Sequence, residues 1–320
     1  MRTSGILLPI FSLPGKYGIG DIGKVSFQFI DFLSQAGQKY WQILPIGPTG
    51  YGDSPYQSFS AYAGNPYFID VDALKNSGFL TDSDIRQLRT PDGPVDYRRL
   101  FNVKAPLLKK AASRMHITDE RYGQFCKENA FWLDDYALFM SIKTHLDNAP
   151  LCDWPQAIRL RRTDTIERLQ QLLTDDVEIH KRLQYIFFSQ WALLCEYAAE
   201  RDVQIIGDIP IYVSADSSDV WTHPELFEFD ENRRPVSVAG CPPDNFSKQG
   251  QLWGNPLYNW DYHKQTDYKW WKKRLIYALN LYDIVRIDHF RGFDCYYSIP
   301  ADEEPASEDH FLIFLLKPVN

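Results

Sequence analysis

A chain of 320 residues with a formal net charge of -8 is unsuited to nucleic acid, because phosphate binding requires a basic face. Its composition, 44% hydrophobic and 24% charged, is typical of a globular protein, and no apolar run approaches the roughly 20 residues that span a bilayer. The first residues lack the long apolar region of a signal peptide. The five cysteines are odd in number and form no CxxC pair, so we expect reduced thiols and a cytoplasmic location.

Two predicted strands flank a predicted helix at the start of the chain. The apolar run at 4–10 indicates a strand. Apolar residues spaced for one helix face then follow Asp21 and end at Gly37, a typical C-cap residue. A second strand is predicted at 39–45. The strand–helix–strand order with short links implies a parallel pair, and therefore an α/β fold.

Beyond this unit the predicted elements are less regularly spaced, and they bring the number of predicted strands to four. In chain order the pattern predicts a polar and aromatic loop at 47–66, a largely helical insertion at about 70–200 with its clearest helices at 131–146 and 183–199, a strand at 203–207, a long Pro-, Gly- and Asn-rich segment at 210–260, a helix at 268–281 and a strand at 284–287.

Two of the predicted strands end in carboxylates, Asp208 and Asp288. In a parallel α/β barrel, side chains just past the carboxyl ends of the strands converge on one mouth. The long loops that follow the second and third strands lie on that same face and are placed to wall a cleft. The pattern therefore predicts an acidic site at this face.

The segment around Asp288 carries four polar side chains within six positions: Arg286, Asp288, His289 and Arg291. Arg286 lies two residues before Asp288, on the same strand face, and a neighbouring guanidinium favours the charged form of a carboxylate. An ionised, oriented carboxylate suits attack on an anomeric carbon. The alternatives are that Asp288 caps the next helix or pairs with an arginine, and that His289 is a structural histidine instead of a sugar ligand.

The other polar patterns in the sequence give little indication of a cofactor or metal site. Asp208 is placed either to cap a turn or to face the site. A metal site built from Asp208, Asp216, Asp219 and His223 lacks a known ligand spacing. Residues 18–23 spell GxGxxG, but they do not directly follow the first strand, and the second strand does not end in a ribose-binding acid. We predict no cofactor and no metal.

Aromatic residues make up 15% of the chain. A large core accounts for most of them. In two segments, 51–66 and 249–256, aromatic side chains alternate with Ser, Gln, Asn and Gly, and such loops suit stacking on a pyranose ring together with recognition of its hydroxyls. Tyr56 and Trp253 are the aromatic candidates for sugar binding.

Five motifs, in chain order, resemble the 4-α-glucanotransferases (amylomaltase or disproportionating enzyme, glycoside hydrolase family 77). The resemblance covers roughly residues 3–300 and implies a (β/α)8 barrel with helical insertions, of which residues 1–300 form an incomplete N-terminal part and 301–320 a divergent tail. The motifs are Leu44-Pro45, Ser54-Pro55-Tyr56-Gln57-Ser58, Gly207-Asp208-Ile209-Pro210-Ile211, Trp253-Gly254-Asn255-Pro256-Leu257-Tyr258 and Arg286-Ile287-Asp288-His289-Phe290-Arg291-Gly292.

The resemblance also implies roles for single residues. Asp288 becomes the nucleophile and Arg286 its electrostatic neighbour, while Trp253 belongs to the loop over the cleft. The residues implied to bind sugar near the cleavage point are Tyr56, Asp208 and His289. Enzymes of the family cut an α-1,4-glucan and pass the glycosyl piece to the 4-hydroxyl of another glucan or of glucose. The implied partners are maltooligosaccharides, α-1,4-glucans and glucose as acceptor.

Transfer with retention needs a second carboxylate as acid/base, about 5 Å from the nucleophile. In the family this Glu follows the next barrel strand, beyond Asp288. Glu303, Glu304 and Glu308 follow no predicted strand, so none is predicted to take that role. We therefore expect half a barrel with an uncovered sheet edge, an aggregation-prone run at 311–316, and little or no transferase activity from this chain alone.

Three alternatives stay open. The chain is a non-catalytic α-glucan-binding fragment, or it is completed by a separately encoded C-terminal part, or it is an inverting or hydrolytic amylase. The last is least favoured, because the set of motifs is so particular.

Overall fold

A computed structural model of the chain describes residues 2–50, 52–90, 93–115, 120–243, 245, 247–248, 250–302 and 315–318. Within these residues the strands form two sheets of four strands each. In chain order they are β1 (Gly5–Leu7), β2 (Tyr40–Gln42), β3 (Gln204–Pro210), β4 (Ser237–Cys241), β5 (Gln251–Pro256), β6 (Ile284–Asp288), β7 (Cys295–Pro300) and β8 (Leu315–Pro318).

The first sheet is parallel throughout, with the strand order β1-β2-β3-β6. Its members are the four strands that the sequence predicts, so the βαβ unit and the α/β class are confirmed. Strand β3 runs further than predicted, through Asp208 to Pro210. Because all four strands point the same way, their carboxyl ends lie along one edge of the sheet.

The second sheet is antiparallel, with the order β5-β4-β7-β8. The predicted total of four strands is therefore wrong, and so is the expectation that no strand precedes Glu303, because β7 does. The pairing of β4 with β5 shifts register between Val238 and Gly240, and Gly254 in β5 has a φ of +74°. Such bulges and glycines interrupt the period-two pattern by which strands are predicted.

Helices fill the region between β2 and β3, where the sequence predicts a helical insertion at about 70–200. A π-helical turn, Leu100–Lys104, joins two of them, α4 and α5. The helices are α1 (Lys24–Gln35), α2 (Val71–Asn76), α3 (Asp82–Arg86), α4 (Tyr97–Arg99), α5 (Ala105–Arg114), α6 (Glu120–His145), α7 (Gln156–Arg159), α8 (Thr163–Leu172), α9 (Thr174–Ala199), α10 (Ser218–Thr222), α11 (Trp260–Gln265) and α12 (Lys269–Leu281).

The two faces of the parallel sheet are covered unequally. Trp41 of β2 and Ile205 of β3 are fully buried on the face that packs against α1, α9 and α12. On the opposite face, Leu7 is 54% exposed and Ile284 is 37% exposed. Since side chains alternate along each strand, this second face is partly open to solvent, and we call it the open face.

Most of the aromatic residues belong to the core, as the composition predicts. A second core lies under the antiparallel sheet and is rich in tryptophan. Trp253 and Trp260 keep partial exposure, whereas the other tryptophans are buried: Trp41, Trp132, Trp154, Trp191, Trp221, Trp270 and Trp271. The partly exposed tryptophans are therefore Trp253, in β5, and Trp260, at the start of α11.

No helix in the described part of the chain combines the length and the apolar character needed to cross a membrane. All five cysteines carry free thiols; Cys152 is exposed and the other four are half-buried. Tyr51 and Gln249, at the starts of the two aromatic segments, lie outside the described residues, as do Glu303, Glu304, Glu308 and residues 311–314 of the run at 311–316.

Gly207, the residue before Asp208, has no room for a side chain. A Cβ atom there would lie 2.2 Å from ring carbons of the buried Tyr282. We expect Gly207→Ala to lower the free energy of unfolding by about 1–3 kcal/mol, as overpacking does. Gly123→Ala, in α6, meets nothing within 4 Å and is the matched control, expected to stabilise by about 0.5–1 kcal/mol. Urea denaturation measures both, and equal midpoints would contradict the account of this contact.

Candidate active site

Asp208 accepts a hydrogen bond on each of its carboxylate oxygens. The Tyr56 hydroxyl donates to Oδ2 at 2.8 Å, and Arg286 Nη1 donates to Oδ1 at 2.7 Å. The other terminal nitrogen of the guanidinium, Nη2, donates to Asp288 Oδ1 at 2.6 Å. One arginine therefore bridges the two strand-end carboxylates that the sequence places at the same face.

The register of β3 and β6 explains this bridge. Asp208 lies directly opposite Arg286, and Pro210 lies opposite Asp288. Paired residues of parallel strands point to the same face, and so do residues two apart on one strand. All three charged side chains therefore lie on the open face of the sheet, at the carboxyl ends of two neighbouring strands.

The charges of this group are unequally exposed. Asp208 is 1% exposed, and burial raises its pKa, while the hydrogen bond from Tyr56 and the charge of Arg286 oppose that rise. Burial acts to lower the pKa of Arg286, but Asp208 and Asp288 outweigh it and raise that pKa above its ordinary value. Burial, and next to it Asp208, raise the pKa of Tyr56. Arg286 thus stays a cation, and Tyr56 stays a hydrogen-bond donor.

Tyr56 sits in a loop that is folded back on itself. Thr49 and Ser58 form an antiparallel bridge, and the Gly50 N–H donates to the Gln57 carbonyl at 2.9 Å. The turn is closed by the Gln57 N–H, which donates to the Ser54 carbonyl at 3.0 Å. The Ser-Pro-Tyr-Gln sequence thus forms a turn that presents Tyr56 to the end of β3.

Gln57 ties this loop to the antiparallel sheet. Its Nε2 donates to the Trp253 carbonyl at 3.1 Å and to Asn255 Oδ1 at 3.0 Å. Asn255 in turn donates from Nδ2 to the Val213 carbonyl at 2.8 Å. The two aromatic segments of the sequence therefore meet, and both are fixed to the chain that follows β3.

Three rings form a wall beside Asp288. The rings of His289 and Trp253 are perpendicular, with centroids 4.9 Å apart, and Tyr212 lies 6.3 Å from each of them. His289 has a φ of +51°, which turns the chain sharply after β6. Burial, helped by Arg291 and opposed by Asp288, lowers the pKa of His289, so the imidazole is neutral at pH 7. A neutral imidazole beside an indole offers one donor, one acceptor and an aromatic face to a ligand.

A narrow cleft adjoins this group. Tyr56, Asp208 and Tyr212 line it from the site, and Arg274 and Tyr277 of α12 line it from behind. The cleft therefore lies between the end of β3 and helix α12.

The alternative of a metal site is not supported by the geometry. Lys143 pairs with Asp216 at 2.6 Å, Asp219 accepts from the Ala61 N–H, and His223 contacts Glu225. Across the described ranges, no group of three or more His, Cys, Asp or Glu side chains is placed to hold a metal ion. The GxGxxG run at 18–23 is a loop before α1, as predicted.

All six residues predicted for the site are described, and they fall into two touching groups. Tyr56, Asp208, Arg286 and Asp288 form the hydrogen-bonded group, and Trp253 and His289 form the ring pair. Gln57, Tyr212 and Arg274 also contribute to the site but are not predicted by the sequence. Gln57 lies within the Ser54–Ser58 motif, but nothing in the sequence distinguishes Arg274 from a surface cation of a Lys-rich helix.

The profile of glycoside hydrolase family 77, 4-alpha-glucanotransferase, matches residues 8–315. The chain belongs to this family. It is 48% identical to a 4-alpha-glucanotransferase from Clostridium butyricum over 307 residues, which are 95% of this chain and 63% of that protein. It is 46% identical to a 4-alpha-glucanotransferase from Thermus thermophilus over 316 residues, 97% of this chain and 63% of that protein.

Solved structures agree with this family assignment. Amylomaltase from Streptococcus agalactiae, in complex with acarbose, superposes with a TM-score of 0.92 at 44% identity, covering 99% of this chain and 64% of that one. Amylomaltase from Corynebacterium glutamicum has a TM-score of 0.75 at 19% identity, covering 95% and 43%, and supports the fold alone. The chain thus spans less than two thirds of the length of these relatives.

Proposed function

We propose that the chain provides the nucleophile and the donor-sugar wall of a 4-α-glucanotransferase acting on α-1,4-glucans. The observation that carries the proposal is the hydrogen-bonded series Tyr56–Asp208–Arg286–Asp288 beside the Trp253–His289 pair. The similarity to an amylomaltase that binds acarbose supports an α-glucan as the ligand. Glucose and maltooligosaccharides are the proposed acceptors.

In the proposed reaction Asp288 is the nucleophile of a double displacement. A carboxylate oxygen of Asp288 bonds to the anomeric carbon, and the bond from that carbon to the glycosidic oxygen breaks, with a proton delivered to the leaving oxygen by an acid/base carboxylate. The 4-hydroxyl of the acceptor then attacks the same carbon, loses its proton to that acid/base carboxylate and releases Asp288. Arg286 holds Asp288 Oδ1 through Nη2 and so orients the attacking group.

Asp208 is poorly placed to deliver the proton. Both of its oxygens accept hydrogen bonds, and its side chain is fully buried. Among the described residues, Arg286 links Asp208 to Asp288 by hydrogen bonds. The role of Asp208 is to hold Tyr56 and Arg286. We therefore propose that the 320 residues by themselves transfer glucan slowly, because a positioned acid is worth about 10²–10⁴-fold.

The open face of the parallel sheet supports a further part of the proposal. Leu7 and Ile284 are exposed there, beside Asp208, Arg286 and Asp288 on the same face. In a complete (β/α)8 barrel this face is the interior and is filled by side chains. We propose that the four parallel strands are half of such a barrel, and that polypeptide completing it covers Leu7 and Ile284 and provides the acid/base carboxylate.

The second candidate function is binding of an α-glucan without catalysis. Titration with acarbose tests sugar binding separately from catalysis. We expect the chain to bind acarbose in a calorimeter, and Trp253→Leu to weaken the affinity about tenfold, as loss of a central aromatic contact does. Trp260→Leu is the matched control, because Trp260 is also partly exposed but packs on Tyr258 and Phe293. Equal affinities for wild type and Trp253→Leu would overturn the proposed sugar wall.

A maltotriose disproportionation assay on the same samples decides between the two candidates. Slow but measurable transfer that Asp288→Asn abolishes supports the transferase. Acarbose binding with no transfer above that variant supports a glucan-binding fragment.

A further inference from the structure

The backbone between Asp208 and Val213 links the two groups of the candidate site. Asp208, at one end, holds Tyr56 and Arg286. Tyr212, near the other end, packs against Trp253 and His289. Movement of this segment therefore changes the position of Tyr212 relative to Asp208, and with it the packing of Tyr212 against Trp253 and His289.

Buried side chains from later in the chain bind the carbonyls of this segment. Arg274 Nη2 donates to the Pro210 carbonyl at 2.6 Å, and Arg274 Nη1 donates to the Ile211 carbonyl at 3.1 Å. The Tyr258 hydroxyl also donates to the Ile211 carbonyl, at 2.7 Å. Successive carbonyls at the end of β3 are thus held by a fork from α12.

Arg274 is an unusual residue to find at this place. It is 2% exposed, and its guanidinium lies 5.3 Å from the Trp270 ring centroid and 4.9 Å from that of Trp271. No described carboxylate lies within ion-pair distance of it, although the charge of the buried Asp219 interacts with it, and its Nε has no hydrogen-bond partner among the described residues. Burying a cation is costly unless its interactions compensate, so a buried arginine whose bonds go to two carbonyls and a phenol needs a reason.

The shape of the guanidinium provides that reason. Its planar fork presents two donors in a fixed geometry, so it holds two neighbouring carbonyls at a set spacing. The two tryptophan faces contact the cation and fix its direction. A lysine would offer a single charged point in the same space.

We propose that Arg274 is a positioning residue for the glucan site, which sets the place of Tyr212, and through it the Trp253–His289 wall, relative to Asp208 and Arg286. The expected effect of this positioning on sugar affinity rests on the proposed function. The positioning itself is a property of the free chain and is measurable without sugar.

The test uses the whole chain labelled with 5-fluorotryptophan, in which the ¹⁹F signal of Trp253 is assigned by its loss in Trp253→Phe. We expect Arg274→Met to shift or broaden that signal in the absence of sugar and to weaken acarbose binding about tenfold, since small misplacements at a site have large effects. Arg274→Lys, which keeps one donor, is expected to give an intermediate change of about threefold.

Arg182→Met is the matched control. Arg182 also donates to two carbonyls, those of Ala112 and Met115, at 3.1 and 3.2 Å, but at the end of α5. We expect it to leave the Trp253 signal and the affinity unchanged. If Arg274→Met does not fold, Tyr258→Phe removes one donor to the Ile211 carbonyl and is read by the same signal.

Three outcomes test, in turn, the positioning role of Arg274, its importance for sugar binding and the proposed function. An unmoved Trp253 signal in the folded Arg274 variants, or in Tyr258→Phe where Arg274→Met does not fold, overturns the positioning role. A moved signal with unchanged acarbose affinity overturns its importance for the site. If the wild-type chain does not bind acarbose, the proposed function fails, while the fluorine signal still decides whether Arg274 positions the wall.

Discussion

Replacing Arg286 by methionine is expected to destabilise the fold and abolish sugar binding together. The variant leaves the buried carboxylate of Asp208 with Tyr56 as its remaining partner. Breaking a buried ion pair costs about 3–5 kcal/mol, and because the Arg286 side chain is 42% exposed and water reaches it, we expect a smaller loss, about 2–3 kcal/mol. Urea denaturation measures the stability, and acarbose titration measures the binding.

A second substitution separates the two effects. In Asp208→Asn combined with Arg286→Met the buried charge is gone, so part of the stability should return, while sugar binding should not. Arg201→Met is the surface control: its pair with Asp31 is partly exposed on both sides, so the loss should be much smaller than in Arg286→Met. A double variant no more stable than Arg286→Met would contradict the role given to the Asp208–Arg286 pair.

The second large effect concerns the leaving group. With maltotriose, the leaving oxygen needs a proton, and the described residues offer no free carboxylate in the hydrogen-bonded group to supply it. With an α-maltosyl fluoride, fluoride departs as an anion, and the same nucleophile suffices. We therefore expect the 320-residue chain to use the fluoride faster than maltotriose by about 10²–10⁴-fold, the range that a general acid contributes.

Fluoride release and glucose release, measured on one preparation, give this ratio. Asp288→Asn should abolish the reaction with both donors. Asp294→Asn, which alters an exposed carboxylate six residues further on, should change neither. Similar rates with the two donors would show that a proton donor is already in place within these residues.

The sequence was sufficient for the parallel sheet and for the main helices. Short runs rich in apolar residues around Trp41, Ile205 and Ile287 predict strands, and their order along the chain implies parallel pairing. The antiparallel sheet was not predicted, because the bulge near Gly240 and the turn at Gly254 break the alternation that identifies a half-buried strand.

The sequence predicts which residues meet at the site. It does not predict the hydrogen bonds and contacts that join them. Parallel strands bring Asp208 and Asp288 to one edge whatever their neighbours are, so this convergence follows from topology. The bridge by Arg286 depends on the exact register of β3 with β6, and the contacts of Gln57 and Arg274 join residues that are far apart in sequence. Register and long-range side-chain contacts are decided by packing, which no local pattern encodes.

Labelling with a 5-fluoro-α-glucosyl fluoride tests the central claim, that Asp288 is the nucleophile. The fluoride leaving group allows the first displacement without an acid, and the ring fluorine slows release of the glycosyl–enzyme, so the adduct accumulates. Peptide mass spectrometry of the digested chain should find the added fluoroglucosyl group on Asp288, and Asp288→Asn should remain unlabelled. A label on another carboxylate, or none on Asp288 in a chain that binds acarbose, would contradict the account.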